Sequence, residues 1–421
     1  MIDIDPLYVS DAKNMLDDIL GQRISRGVAV VLLINGTPQD LVTIDPGYQP
    51  GPDAVKRTTL FFTIEALAGS GGDKRSRLVR IGEEKDFDIF CQEDITTYFR
   101  QYVLVDGRKA EKYLLFVWGH GAAYGVFFGG NLPHSNPSPL PPPPEEFAML
   151  SMNKLKAAIL AAFGDGGQGK MDLVILMACF MQFLDTAITL RQAGVDYLVA
   201  SQSGESFVGY NYTVIFKKLY KKPGIAAEKL AILAVRSMKT IKYKSAAEKK
   251  ADPLQNATVF ANKLDIYDRF AESLNRLGVA LSAKLDTDFN AIDGARVFLI
   301  PGISLKYLLI DLFRLLKRLV KEFGNKWETD TVRSLFELRK EMILYSFKGS
   351  HVEKLWPKKY PLGCSVCFPV GTFDNTSPFF NTYIVNGANG FNDAALCLQE
   401  WVAFVNKYAT IKAAGSPIPG N

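Results

Sequence analysis

The chain has 421 residues, 48% hydrophobic and 22% charged, which is too well mixed for disorder and long enough for one large unit or two packed subdomains. Its 49 basic and 44 acidic residues leave a formal charge of +5, too weak a bias to imply a nucleic-acid partner. The opening Met1-Ile2-Asp3-Ile4-Asp5 has neither a basic region nor a long apolar segment, so no signal peptide is expected and the five cysteines are expected as thiols in a reducing, cytoplasmic setting. In chain order, residues 10–20 read as a helix and 27–34 as a buried strand. Residues 58–64 fit a strand or the start of a helix, 79–81 and 87–90 are short apolar runs, and 92–102 read as a helix opened by acidic residues. Tyr113-Leu114-Leu115-Phe116-Val117 is a strand, 147–163 a helical region, and Asp172-Leu173-Val174-Ile175-Leu176 a second strand, followed by a helix over 181–192 and a strand over 196–200. Strand, helix, strand at this spacing predicts βαβ units and a mostly parallel sheet.

Beyond about residue 213 the texture changes. Lys217, Lys218, Lys221, Lys222, Lys239, Lys242, Lys244, Lys249 and Lys250 punctuate helical patterns without interleaved stacking aromatics, which reads as a solvated helix face. Helices are predicted over 264–280, 305–323 and 330–345. The apolar run 297–310 is broken by Pro301-Gly302 and carries Lys306, so it reads as core or as a turn plus helix, not a membrane span. Three divisions follow: an α/β core over 1–215, a mainly helical subdomain over 216–350, and a segment over 351–421 packing back on the core.

Two breaker-rich inserts lie between the strands at 113–117 and 172–176. The first, 132–144, is rich in proline and holds His134, which nothing fixes in place; the second, 164–170, is glycine-rich and ends at Lys170. Both are places for a proteolytic nick. The cluster Gly69-Ser70-Gly71-Gly72 has neither a Walker ending nor dinucleotide spacing, so nucleotide binding is not indicated. Cys364 and Cys367 form a single Cys-x-x-Cys with only His351 and Cys397 as conceivable further ligands, and a core strand is the better reading than a zinc site.

The chemistry concentrates at two strand ends. Trp118-Gly119-His120-Gly121 follows the first strand, and Met177-Ala178-Cys179 follows the second. An apolar-flanked cysteine is often an inert core residue. Here one of only three histidines occupies an equivalent strand end, and an imidazole beside a thiol suggests nucleophilic catalysis.

These two motifs resemble those of the clostripain-like cysteine peptidases, relatives of gingipains and caspases. Residues 197–202 with Gly209-Tyr210-Asn211-Tyr212 resemble the family's following strand and substrate-pocket loop, and 363–369 resemble a later strand. The resemblance implies a three-layer α/β/α caspase-like sandwich with a helical carboxyl-terminal addition. It implies an endopeptidase with Cys179 as nucleophile, His120 as its proton partner, and an oxyanion hole from backbone N–H groups of Gly121 and Cys179. It further implies cleavage after arginine or lysine, with Ser201, Gln202 and an acid lining the primary pocket. Glu205 is the nearest acidic candidate and Asp196 the weaker one. A zymogen opened by a cut between the motifs, with Lys170 as a candidate site, fits the same pattern, as does an activating protease among the partners. No metal is required, although calcium would suit a relative of this family. Two departures stand out: Met177 replaces the acid common two residues before the nucleophile, and Ser206-Phe207 replace a Pro-Gly. They are the sequence support for the alternative, a catalytically silent caspase-like interaction module.

Overall fold

The carboxyl ends of adjacent strands decide what this fold can do, and each strand sends alternate side chains into one of two cores. The first part of the chain gives β1 (Ile2–Asp3), α1 (Val9–Leu20), β2 (Val31–Gly36), α2 (Pro38–Ile44), β3 (Thr58–Ala66), β4 (Ser76–Glu84), α3 (Gln92–Tyr98), β5 (Tyr113–Trp118) and β6 (Gly125–Gly129). Next come β7 (Ala148–Ser151), α4 (Met152–Ile159), β8 (Met171–Met177), α5 (Leu184–Gln192), β9 (Tyr197–Ser201), α6 (Tyr212–Lys221) and α7 (Ala227–Ser237). The remainder gives β10 (Thr258–Lys263), α8 (Tyr267–Ala295), β11 (Leu309–Asp311), α9 (Leu312–Phe323), α10 (Thr329–Met342), β12 (Ile343–Lys348), β13 (Ser365–Cys367) and α11 (Gln399–Gly415). This computed structural model describes residues 1–4, 8–51, 56–67, 75–105, 109–121, 123, 125–129, 148–164, 169–205, 209–241, 243, 257–296, 309–324, 327–349, 362–368 and 397–415. The proline-rich insert with His134, most of the glycine-rich insert, Ser206-Phe207, His351 and the lysines at 242, 244, 249 and 250 lie outside the described residues.

The central sheet has nine strands in the order β12-β10-β9-β8-β5-β1-β2-β3-β4. From β9 to β2 every pairing is parallel, and the margins on both sides are antiparallel. Period-two alternation splits its side chains: Leu115, Val117, Val174 and Leu176 enter one core, while Leu173, Ile175, Met177 and Trp118 enter the other. Helices α1, α2, α6 and α7 cover the second face, and α3, α4, α5 and α8 to α11 cover the first. This is the three-layer α/β/α sandwich.

Local reasons account for the elements that depart from the sequence pattern. Residues 147–163 read as one helix, yet 148–151 form β7, because Ser151 caps α4 by accepting a hydrogen bond from the Lys154 N–H at 3.3 Å. Residues 330–345 also split, with α10 ending at Met342 and β12 beginning at Ile343 to extend the sheet beyond β10. The segment 216–350 carries helices α7 to α10 and also supplies two strands of the central sheet, β10 and β12. The carboxyl-terminal part packs back through β13, which pairs antiparallel with β11, and through α11 along α8. Arg296 fastens it: its guanidinium donates to Tyr408 Oη at 2.5 Å and to the Phe368 carbonyl at 3.1 Å, between the rings of both residues. No described helix is long and apolar enough to cross a membrane.

Candidate active site

Strands β5 and β8 are parallel neighbours with Trp118 opposite Met177, so the residues that follow leave the sheet at the same edge. The Gly119 N–H donates to the Met177 carbonyl at 3.3 Å and carries the ladder one step further. His120 comes next in one chain segment and Cys179 follows Ala178 in the other. Gly121 then lies against the cysteine turn: a Cβ at that position falls 2.6 Å from the Cys179 carbonyl oxygen and 3.0 Å from its nitrogen. Only glycine lets the two turns meet at this distance.

Backbone strain gathers at the same place. Among the described non-glycine residues, positive φ occurs at Ala123, Phe127, Phe180 and Glu328, and the first three flank His120 or Cys179. Phe180 is held in this conformation by donating its N–H to the Ser203 carbonyl at 2.9 Å, and Gln182 donates to the Ser201 carbonyl at 2.7 Å. On the other turn, the His120 carbonyl accepts from the Phe127 N–H at 3.0 Å, and the Tyr8 ring meets the imidazole edge-on with centroids 6.1 Å apart.

Cys179 is half-buried and its Sγ accepts a hydrogen bond from the Glu205 N–H at 3.3 Å. Burial pushes the thiol up to about 11; the hydrogen bond opposes this and the negative charge of Glu205 adds to it. Such a sulfur is a protonated thiol near neutral pH and needs a base to become a nucleophile. Glu205 itself is buried, and the thioether of Met177, two residues before the cysteine, accepts a hydrogen bond from Tyr212 Oη at 3.1 Å.

Ser201 and Gln202 are fully buried, and their side chains are committed to the protein. Ser201 Oγ donates to the Thr258 and Gly204 carbonyls, both at 3.2 Å. Gln202 Nε2 donates to Asp311 Oδ2 at 3.1 Å while its Oε1 accepts from the Gly363 N–H at 2.7 Å. Asp311 also takes the N–H groups of Leu362 at 2.5 Å and Arg314 at 2.8 Å. Gln182, just past Cys179, joins the same network through Asn262 Oδ1 at 2.9 Å and the Gly363 carbonyl at 2.7 Å. Sequence reasoning passed over Gln182, Asn262 and Asp311. The one local signal was a lone polar residue, Asn262, inside the apolar run of β10.

Lys170 lies elsewhere. It precedes the first residue of β8, whereas Cys179 follows the last, so the seven-residue strand, about 23 Å at an ordinary rise, separates them. Its ammonium pairs with Asp196 at 2.6 Å, which places both residues at the sheet edge opposite the thiol. Among the described residues, no three His, Cys, Asp or Glu side chains come together to hold a metal ion.

A profile described as the Clostripain family matches residues 79–355. A secreted C11 cysteine protease from Bacteroides thetaiotaomicron, bound to an irreversible peptide inhibitor, is similar with a TM-score of 0.57 and 14% identity, covering 94% of this chain and 97% of the other. An inactive zymogen C11 protease from Parabacteroides distasonis is similar with a TM-score of 0.54 and 16% identity over 91% and 93% of the two chains. A second secreted Bacteroides thetaiotaomicron protease, iotapain, gives 0.54 and 12% over 93% and 97%. No curated protein sequence matches. The expectation of a cytoplasmic chain is corrected by these neighbours, two of which are described as secreted and so point away from that compartment.

Proposed function

The chain belongs to the clostripain family of cysteine peptidases, and from that premise we propose that it is an endopeptidase working through a Cys179–His120 dyad and cutting after arginine or lysine. The observation that carries the proposal is the contact of Gly121 with the Cys179 backbone, which brings the histidine turn and the cysteine turn together at one sheet edge.

In this reading the imidazole of His120 takes the Sγ proton, and the thiolate attacks the scissile carbonyl carbon. Negative charge passes to the carbonyl oxygen, where backbone N–H groups of Gly121 and Cys179 stabilise it. The imidazolium then protonates the departing amine, leaving an acyl-enzyme that water hydrolyses with His120 again as base. The Glu205 N–H, already on Sγ, favours the thiolate. The Glu205 carboxylate supplies the negative charge at the base of the primary pocket, while Ser201 and Gln202 hold its wall from behind. Activation by a cut between the two motifs belongs to the same reading. The breaker-rich insert 132–144 and Lys170 are the candidate places for it. The cut comes from the chain itself or from an activating protease.

The raised thiol and the thioether at Met177 favour a second reading, a silent module that keeps the fold without turnover. A panel of fluorogenic peptides with arginine, lysine, aspartate and apolar residues at the cleavage position, run on intact and nicked protein, separates the two. Turnover of basic peptides alone supports the peptidase. No turnover of any peptide in either form supports the module.

A further inference from the structure

Thr186 carries a buried hydroxyl that the proposed chemistry leaves unused. It lies in the first turn of α5, the helix that follows the cysteine turn, and is 1% exposed. A threonine in a helix commonly donates to the carbonyl four residues back. That carbonyl, of Gln182, is taken by the Ser365 N–H at 3.2 Å, and the Thr186 hydroxyl leaves its own helix to donate to the Ala123 carbonyl at 2.5 Å, 63 residues away in sequence.

Ala123 stands in the histidine turn. The His120 carbonyl closes that turn at its base by accepting from the Phe127 N–H at 3.0 Å, and Gly121 bridges Val126 one rung further in. Between the bridged residues Ala123 is fully buried with φ 66°, a left-handed conformation that an alanine keeps only where its surroundings impose it. The Thr186 bond is such a constraint, and it comes from the chain segment that carries Cys179. Gly121 meets the same segment through the backbone, a Cβ there falling 2.7 Å from that of Ala178. The histidine turn is thus held against the cysteine segment at two places, once by close packing and once by a hydrogen bond.

We infer that Thr186 is a positioning residue for the dyad: by holding the Ala123 carbonyl it sets where the His120 turn lies relative to Cys179. The inference rests on the reading of His120 and Cys179 as the reacting pair. Thr186 acts through the turn and takes no part in the proton transfers. An imidazole must stand within hydrogen-bond reach of the sulfur, and a shift of about 1 Å at reacting groups costs about a hundredfold in rate. The proposed pocket follows β9, on the far side of β8 from the histidine strand, so the loss falls on kcat and not on KM.

The test compares T186V, which keeps the shape and removes the hydroxyl, with T186S, which keeps the hydroxyl. With a basic peptide, T186V should lose about ten- to a hundredfold in kcat at a KM within about twofold of the parent, and T186S should stay near the parent. The chain has three histidines, so proton NMR of the imidazoles resolves them, and the resonance missing from H120A is that of His120. That resonance should move in T186V and return in T186S while the other two stay. Unchanged kcat in T186V, a loss carried by KM, an equal loss in T186S or an unmoved His120 resonance overturns the inference and leaves the dyad standing. T186A takes the place of T186V if the valine variant does not fold; failure of both to fold overturns the inference too, because the hydroxyl then serves the fold. If H120A keeps turnover, or the parent has none, the dyad reading fails and takes the inference with it.

Discussion

The backbone N–H of Glu205 donates to Sγ of Cys179 across 26 residues of sequence, so the turn that follows β8 and the segment that carries the buried acid meet at the sulfur of the proposed nucleophile. The charge of one and the proton of the other are thereby linked, and this link organises what can be measured.

Cys179→Ala should abolish peptide turnover and leave the melting temperature nearly unchanged, since a methyl in place of a thiol alters little volume. His120→Ala should resemble it, because an unassisted thiol stays protonated near neutral pH. Full peptidase activity in C179A excludes this cysteine.

The pH dependence of alkylation reports the link directly. With the thiol pushed up to about 11, the rate with iodoacetamide should keep rising above pH 9. Glu205→Gln removes a like charge, so the midpoint should move down and the rate at pH 8 should increase. A rate already flat between pH 6 and 8 in the wild type points instead to a thiolate–imidazolium pair.

Gly121→Ala tests the contact between the two turns. Its methyl would fall 2.6 Å from the Cys179 carbonyl oxygen, and backbone must shift to admit it. A displacement of this kind at reacting groups costs about a hundredfold in kcat/KM. The comparison is with the melting temperature, which should change far less than the rate.

Asp185, in the first turn of α5, has a carboxyl that burial raises to about 7 from an ordinary 3.8. Between those values the folded protein binds more protons than the unfolded chain, so this group's contribution to stability falls as pH rises from about 4 through 7. Asp185→Asn should flatten that dependence. Urea midpoints of both proteins at pH 5 and pH 8 check it, and an equal difference in the two overturns it.

Asp311→Ala should loosen the site from behind. It strands the buried N–H groups of Leu362 and Arg314 and the amide of Gln202, at a cost of about 2–4 kcal/mol. Chemical denaturation measures the loss, and faster proteolysis near residues 362–368 locates it.

What could be read locally was read from the sequence. The runs 113–117 and 172–176 are apolar on both sides, as strands covered on two faces must be, and they placed His120 and Cys179 at one edge. The marginal elements were ambiguous for the same reason: Ala148-Met149-Leu150 is as apolar as a helix stripe, and only the Ser151 cap separates it from α4. The bonds of Gln202 and Gln182 to Asp311, Asn262 and Gly363 span 80 to 181 residues, and no periodic pattern encodes a pairing at that range. Glu205 was the nearest acidic candidate for the pocket, and its burial is not encoded in any local pattern around it.

The pairing of Gly129 with Ala148 across β6 and β7 has a practical side. The chain departs and returns at one rung of the β6–β7 ladder, with Cα atoms about 5 Å apart. A foreign domain whose own ends lie that close can be spliced there, and the same junction can become the new termini of a circularly permuted protein. Since His120 lies before the junction and Cys179 after it, the two halves expressed separately make a complementation pair whose activity reports on whatever brings them together.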